Sequence, residues 1–157
     1  MDQIDGVYVK QLKINSDDRG FLTELFKADD EFVKKHNIVV KQTNFSVAYP
    51  GLIKAFHWHK KQWDIWFIAS GNVQVVLHDM REKSPTYKKT QVIFAGETNR
   101  VLIAIPPFVA HGYRVLGNEP AALFYHVTET YDPKNPDEER IPHNDPKIGF
   151  DWTTKFK

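Results

Sequence analysis

The chain has 157 residues, enough for one domain with its own buried core. Its 21 Lys and Arg residues nearly balance 20 Asp and Glu residues, so its charge gives no general attraction to nucleic acid or anionic membranes. Because cysteine is absent, disulfides, thiolate catalysis and Cys-type zinc sites are excluded. The first ten residues, MDQIDGVYVK, lack the basic start and apolar run of a signal peptide, and no segment has the roughly 20 apolar residues of a membrane span. We therefore expect a cytoplasmic protein that binds neither nucleic acid nor membrane.

Strand-like alternation of apolar and polar residues dominates the chain. Runs rich in Val, Ile, Phe, Tyr and Trp, each bounded by Gly, Pro, Asn or Asp, occupy residues 6–14, 38–49, 63–80, 99–106 and 121–131. Between the first two runs, ADDEFVKKHN predicts one short helix with Asp29 or Asp30 as its N-cap. SGN at 70–72 predicts a hairpin turn within the third run. The Pro- and charge-rich segment from residue 132 predicts an ordered loop over the body of the domain.

The overall pattern predicts an all-β fold. Many short strands separated by regular turn signals are typical of a sandwich or barrel. No internal repeat or low-complexity tract divides the chain, so we expect a single domain over residues 1–157.

The most informative short motif begins with two histidines. Strand alternation turns His57 and His59 to the same face. The spacing over residues 51–71 is G-x5-H-x-H-x4-D-x6-G, and about forty residues later a proline precedes His111 by five positions. This resembles the two-part signature of the cupins, a double-stranded β-helix or jelly-roll superfamily. The acidic position is Asp rather than the commoner Glu, and Phe108 stands where the second part usually has Gly.

The cupin resemblance implies that His57, His59, Asp64 and His111 converge inside the barrel. Three imidazoles and one carboxylate suit a divalent first-row metal. The other interpretation is that these side chains line a pocket without a metal, and a second resemblance favours it.

Six segments resemble, in order and rough spacing, the dTDP-4-dehydrorhamnose 3,5-epimerases. They are DDRGFLTELF, QTNFSVAYPG, HDMREKSPTY, IPPFVAHGY, FYHVTETYDP and NDPKIGFDW, and they span nearly the whole chain. That family consists of cupin-fold dimers that epimerise a nucleotide-linked 4-keto-6-deoxy sugar without a metal. The resemblance thus implies a homodimeric isomerase of dTDP-rhamnose or polysaccharide biosynthesis that needs no cofactor. Such a reaction needs a base, an acid across the pocket and a positive group at the enolate oxygen.

The epimerase resemblance also implies catalytic roles. His57 matches the base that removes a proton next to the ketone. Asp145, in NDP, matches the carboxylate that orients that imidazole and stabilises its protonated form. Tyr125 matches the tyrosine that returns a proton on the other face.

Contacts to the nucleotide sugar are implied as well. Arg19 would bind phosphate, for which a planar guanidinium is well suited. The other implied contact residues are Glu24, Gln42, Asn44, Lys54, His59, Asp64, His111 and Tyr131. Taken singly, each has a simpler interpretation: Arg19 and Gly20 can form a hairpin corner with Glu24 as a salt-bridge partner, and the tyrosines can pack on a sheet.

Three positions depart from the epimerase pattern. Lys54 replaces an arginine, His59 a glutamine, and Asp64 the lysine thought to face the keto oxygen. A carboxylate there removes stabilisation worth several kcal/mol in comparable oxyanion sites. Either His59 or another donor replaces the lysine, or a metal held by the four candidate ligands polarises the ketone. These two accounts exclude each other, because a metal-bound His57 could not also accept the substrate proton. Lys54, Lys60 and Lys61 surround the histidine pair in sequence and would serve an anionic diphosphate, so we expect no metal.

Several rival functions remain open. HWHKKQWD also resembles the H-x-H-K-K of cupin 3,4-ketoisomerases that act on the same kind of nucleotide sugar. The alternatives to an epimerase are such a ketoisomerase, a metal-dependent cupin enzyme with a three-His, one-Asp site, and a non-catalytic sugar-binding cupin.

Overall fold

The structure is a computed structural model that describes residues 3–155; the first two residues, which begin the segment inspected for a signal peptide, and the last two lie outside the described part. The strands of the first half are β1 (Tyr8–Gln11), β2 (Asn15–Asp17), β3 (Gly20–Leu22), β4 (Gln42–Ala48), β5 (Ile53–Trp58) and β6 (Asp64–Ser70). Those of the second half are β7 (Asn72–Asp79), β8 (Thr90–Gly96), β9 (Val101–Ile105), β10 (Val109–Leu116), β11 (Ala121–Val127) and β12 (Glu139–Arg140). One short helix, α1 (Glu31–His36), precedes β4.

Two antiparallel five-stranded sheets face each other as a β-sandwich. The first sheet has the order β1-β9-β6-β11-β4, the second has the order β12-β5-β10-β7-β8, and β2 and β3 form a separate hairpin. From β4 to β11 successive strands alternate between the two sheets, except that β7 and β8 pair within the second sheet, as in a jelly roll. The predicted all-β jelly-roll fold with one short helix is confirmed. The predicted hairpin at SGN is wrong: the turn joins β6 to β7, but β6 belongs to the first sheet and β7 to the second, so these two strands do not pair.

Three apolar clusters hold the layers together. The largest lies between the sheets and includes Val75 and Leu77 of β7 and Ile103 of β9, all fully buried. Each such side chain contributes roughly 1.5–3 kcal/mol through its removal from water. Phe32 of α1 packs in a second cluster with residues of the first sheet. Trp152 lies 5.5 Å from Phe56, ring centre to ring centre, so the C-terminal segment covers the second sheet.

The short helix begins where the sequence predicts. Asp30 is its N-cap residue, but its carboxylate makes no capping bond and instead forms an ion pair with Lys10 at 2.7 Å. Asn37 ends the helix in the left-handed conformation, φ 50°. In the described residues no helix is long and apolar enough to cross a membrane.

A bulge in β5 sets the direction of the site residues. In the pairing with β10, His57 lies opposite His111 and Lys54 lies opposite Tyr113, so three steps along β5 match two along β10. The extra residue turns Lys54 and His57 to the same side. The strands approach closely here, because a Cβ on Gly112 would lie 2.3 Å from the Cβ of Ala55. Glycine is therefore required beside His111.

Phe108 occupies a backbone position that favours glycine. Its φ is 60°, in the left-handed region that is uncommon for large side chains. Its backbone N–H donates to the carbonyl of His59 at 2.8 Å, and its ring lies 5.6 Å from that of Trp58. The Phe108 ring thus packs on Trp58 at a turn whose backbone is strained.

Candidate active site

A cavity of about 400 Å³ opens between the two sheets, a size that suits a small-molecule ligand. Its walls come from strands of both sheets and from the chain after β11. The predicted site residues that line it are Gln42, Asn44, Lys54, His57, His59, Asp64, His111, Tyr125 and Tyr131.

The strand register explains why these residues meet. In the first sheet Tyr125 pairs with Asn44 on β4 and with Trp66 on β6, and residues opposite each other share a face. In the second sheet His57 pairs with His111. His57 and Tyr125 consequently stand on opposite walls of one cavity.

His57 is held by a carboxylate from the C-terminal segment. Its Nδ1 lies 2.6 Å from Oε1 of Glu138, which also accepts from Nε of Arg140 at 2.9 Å. Burial, which outweighs the hydrogen bond and charge of Glu138, lowers the pKa of His57. Burial alone would raise the pKa of Glu138, but the hydrogen bonds from His57 and Arg140 lower it. A neutral His57 thus donates from Nδ1 to an ionised Glu138, and its Nε2 keeps a lone pair for proton transfer.

This contact corrects the predicted pairing of His57 with Asp145. Asp145 does not line the cavity; its Oδ1 accepts from the backbone N–H of Lys147 at 2.8 Å, and its carbonyl accepts from those of Ile148 and Gly149. Its place before a proline makes it a turn former. The sequence signal for Glu138 is the acidic cluster PDEER inside the Pro-rich segment.

Asp137 ties the same segment to the turn after the histidine pair. Its carboxylate accepts from the backbone N–H groups of Lys60, Lys61 and Gln62 at 2.9, 2.9 and 3.0 Å. Its backbone carbonyl accepts from Nδ1 of His59. The segment predicted as a loop over the body is therefore part of the site.

His59, Asp64 and His111 form a buried cluster. Nε2 of His59 lies 3.5 Å from Oδ1 of Asp64, and Nε2 of His111 lies 3.6 Å from Oδ2. Nδ1 of His111 donates to the carbonyl of Val109 at 3.0 Å. Burial, which outweighs the nearby Asp64, lowers the pKa of His111 to about 4, so this imidazole is neutral near pH 7.

Three of the four predicted metal ligands lie together in this cluster, and His57 lies apart from them. One ligand atom from each of His59, Asp64 and His111 lies within 4.8 Å of the other two, and in the described part of the chain His57 is not a member of this group. The cavity thus separates a base held by Glu138 from a set of three buried metal-ligating side chains.

Tyr125 is a half-buried phenol on the wall opposite His57. Burial, together with the charges of Asp64 and Glu138, raises its pKa, so the hydroxyl keeps its proton. Tyr113, which sequence reasoning missed, also lines the cavity, and its ring lies edge-on to Trp66 at 5.8 Å. Alternation along β10 from His111 is the signal that points to Tyr113.

The amides predicted to bind substrate form a small network. Nε2 of Gln42 donates to Oδ1 of Asn44 at 2.7 Å, and Oε1 of Gln42 accepts from the backbone N–H of Tyr131 at 2.9 Å. Tyr131 is 60% exposed, so its ring is accessible at the cavity wall.

Arg19 and Glu24 do not line the cavity of their own chain. Arg19 lies in the turn of the β2–β3 hairpin, where its side chain is 85% exposed and its Nη2 is 2.5 Å from Oδ2 of Asp17. Glu24 approaches Lys27 at 3.8 Å. Arg19 thus lies at a hairpin corner, and its salt-bridge partner is Asp17 rather than the predicted Glu24.

Comparison with known proteins identifies the family. The family model described as dTDP-4-dehydrorhamnose 3,5-epimerase matches residues 2–157. The spore coat polysaccharide biosynthesis protein SpsL of Bacillus subtilis strain 168 is 52% identical over 154 residues, which cover 98% of this chain and 99% of that protein. The probable low-salt glycan biosynthesis epimerase Agl13 of Haloferax volcanii is 38% identical over 158 residues, covering 99% of each.

A solved structure gives the same result. RmlC, the dTDP-6-deoxy-D-glucose-3,5-epimerase of Legionella pneumophila, in complex with dTDP-4-keto-L-rhamnose, superposes with a TM-score of 0.84 at 30% identity, over 96% of this chain and 80% of that one. The resemblance stated from six sequence segments is confirmed. The chain belongs to the dTDP-4-dehydrorhamnose 3,5-epimerase family and is an enzyme of the isomerase class.

Proposed function

We propose that this chain, as one cupin domain over residues 1–157, epimerises a nucleotide-linked 4-keto-6-deoxy sugar, with His57 as base and Tyr125 as acid. The observation that carries the proposal is the position of these two side chains on opposite walls of one cavity. Inversion at carbon requires proton removal from one face and return to the other, and this arrangement provides both.

The proton balance of the step is simple. Nε2 of His57 takes the proton from the carbon next to the ketone, and the electron pair of the broken C–H bond becomes the enolate. Tyr125 then gives its hydroxyl proton to the opposite face of the same carbon. The protonated imidazole and the phenolate exchange one proton with water before the next turnover.

Glu138 would support the base in two ways. Its hydrogen bond to Nδ1 fixes the tautomer that leaves Nε2 free, and its negative charge stabilises the imidazolium that forms. Arg140 shares the same carboxylate oxygen and keeps Glu138 ionised.

The family and the size of the cavity support a proposal for the substrate. The Legionella relative was solved with a dTDP-linked keto sugar, and the cavity of this chain has the size for a sugar ring. We propose a thymidine diphosphate sugar, with Lys54 near the diphosphate and Tyr131 stacked on a ring of the ligand. The name of SpsL supports a role in polysaccharide biosynthesis.

We further propose a cytoplasmic homodimer. Arg19 and Glu24 match family contact positions yet lie away from their own cavity, on and after a hairpin whose Phe21 and Leu22 are 53% and 63% exposed. A second copy would bury these apolar side chains and bring Arg19 to a neighbouring cavity. Light scattering at several protein concentrations tests the dimer. The cytoplasmic location rests on the substrate class, because the nucleotides that activate sugars are made there.

The decisive experiment follows hydrogen exchange. Purified enzyme is incubated with dTDP-4-keto-6-deoxyglucose in deuterated water, and NMR records deuterium at C3 and C5 and the configuration of the product. We expect exchange with inversion in the wild type and neither in His57→Ala, which should still bind dTDP. Migration of the keto group to C3 would instead identify a 3,4-ketoisomerase. Binding of the nucleotide sugar without exchange would identify a binding protein.

A further inference from the structure

The cluster of His59, Asp64 and His111 contains a buried carboxylate that no lysine or arginine of the described residues contacts. Asp64 is 4% exposed, and among the described residues its carboxylate has no ion pair with a lysine or arginine. In the part of the chain that the structure describes, the ionisable groups within 4 Å of it are the two imidazoles. Buried charges in proteins are normally paired or bound to metals.

The hydrogen bonds of the two histidines fix where their protons are. Nδ1 of His59 contacts the carbonyl of Asp137, and Nδ1 of His111 contacts the carbonyl of Val109. A carbonyl oxygen only accepts, so each Nδ1 carries a proton. In the neutral rings both Nε2 atoms therefore have lone pairs, and both face the Asp64 carboxylate at 3.5 and 3.6 Å. Three electron-rich groups converge on one point.

This arrangement is the one that metal-binding histidines show. A ligating imidazole almost always donates its other N–H to a carbonyl or carboxylate, which fixes the tautomer and the ring orientation. Ligands about 2.1 Å from a tetrahedral ion lie about 3.4 Å from each other, close to the two distances between imidazole and carboxylate.

Two further side chains orient the carboxylate. Trp66 donates from Nε1 to Oδ2 at 3.0 Å, and Gln62 donates from Nε2 to Oδ1 at 2.7 Å. The Gln62 amide also lies 3.3 Å from Nε2 of His59, so its N–H groups face two of the electron-rich groups. A cation bound between the three side chains would replace the Gln62 N–H groups as the positive partner of the Asp64 carboxylate and of Nε2 of His59.

We propose that His59, Asp64 and His111 bind one divalent first-row metal ion, at a site separate from the base His57. Two imidazoles and one carboxylate suit zinc, iron, manganese or cobalt, and three protein ligands leave coordination positions open. The sequence placed His57 among the four candidate ligands, where binding a metal would exclude its role as base. In the structure Glu138 holds His57 outside the cluster, so the two roles do not conflict.

The catalytic consequence rests on the proposed epimerase function. The family's lysine at the enolate oxygen is replaced by Asp64, which cannot stabilise negative charge by itself. Asp64, with His59 and His111, would hold a metal ion that would supply a positive group in the same cavity and Lewis-acid stabilisation of the keto oxygen.

The test is metal binding to the untagged full-length protein. Metal is removed with chelator, and Co²⁺ is titrated while its visible d–d absorption and the heat of binding are recorded. We expect saturation at one equivalent per chain. His59→Ala and His111→Ala should each weaken binding by more than about 100-fold, beyond the 10–100-fold typical of residues that only orient ligands. Circular dichroism checks that the variants fold.

Two histidine variants serve as controls. His57→Ala should keep one equivalent of Co²⁺, because His57 is outside the cluster. His78→Ala should also keep it, because Nδ1 of His78 contacts Oγ1 of Thr90 away from the cavity. The proposal is overturned if the wild type shows no saturable binding at one equivalent, if binding survives in both cluster variants, or if it is lost in His57→Ala.

The metal test and the exchange test fail independently. Exchange of sugar hydrogens in a wild type that binds no Co²⁺ would overturn the metal site and leave the epimerase. Binding of one Co²⁺ without exchange on any nucleotide sugar would overturn the epimerase and leave the metal site.

Discussion

Nδ1 of His57 lies 2.6 Å from Oε1 of Glu138, which is 81 residues away along the chain. A single carboxylate thus fixes the tautomer of the base, and that carboxylate comes from a segment without a long strand or helix of its own. The family resemblance points to Asp145 for this role, so the two residues can be compared directly.

Glu138→Gln should lower the rate of substrate hydrogen exchange by at least about 100-fold, because an amide can favour the wrong tautomer and cannot stabilise the imidazolium. Asp145→Asn is the matched control, and we expect it to stay within about twofold of wild type, because Asp145 bonds to the backbone of its own turn. Deuterium uptake measured by NMR gives both rates. A large loss in Asp145→Asn with little loss in Glu138→Gln would return the role to Asp145.

Tyr125→Phe should separate proton removal from inversion. Deuterium uptake on the His57 side should persist, whereas formation of the inverted product should fall by about 100-fold or more, because the phenolic proton is gone. Tyr113→Phe is the matched control, since Tyr113 lines the same cavity but lies at the His111 side of the second sheet. If Tyr113→Phe loses inversion and Tyr125→Phe retains it, the two roles are exchanged.

The dependence of kcat/KM on pH should show a broad plateau. Burial lowers the pKa of His57 below 6.5, so the base stays neutral, and active, until the pH falls to this lowered pKa. Burial raises the pKa of Tyr125 above 10.0, so the acid keeps its proton until the pH reaches this raised pKa. In Glu138→Gln the acidic limb should move to lower pH, because the carboxylate raises the pKa of His57. An acidic limb that moves to higher pH in this variant would contradict the assignment.

The left-handed backbone at Phe108 gives a prediction about stability. Phe108→Gly should be more stable than Phe108→Ala by about 1 kcal/mol, since both lose the ring but only glycine adopts φ 60° without strain. Phe94, exposed on β8, is the control: there Gly should be less stable than Ala by roughly 0.5–1 kcal/mol. Urea unfolding measures both pairs. The same sign at both positions would show that the backbone at Phe108 is not strained.

Two of the strands that sequence reasoning missed, β5 and β10, break simple alternation. β5 carries an extra residue between Lys54 and His57, and β10 is buried on both faces except at Arg114 and Leu116. Period-2 patterns do not detect a bulge or a fully covered strand. The cupin resemblance nevertheless predicted that His57 and His59 of the H-x-H motif lie close to His111. The spacing of these residues carries information that strand propensity lacks.

The choice of carboxylate for His57 shows the limit of the sequence. Asp137, Glu138, Glu139 and Asp145 all lie in one Pro-rich segment, and nothing local tells which of them reaches the base. In the folded chain their partners differ. Asp137 binds three backbone N–H groups, Glu138 binds His57, and Glu139 pairs with Lys60 at 2.8 Å. Contacts between residues about 80 positions apart decide which carboxylate reaches His57, and the periodicity of the sequence does not predict such contacts.

The attachment of Asp137 to the turn after His59 has a consequence for the order of assembly during folding. Residues 137–140 meet residues 57–62 across a loop of roughly 80 residues, and closing long loops is slow. Apart from the edge strand β12, the two sheets can form before this segment docks, and until it docks His57 lacks the carboxylate that sets its tautomer. A refolding chain should therefore regain its β-sheet circular dichroism before it regains turnover, and the last event on its folding pathway is the one that makes the base competent.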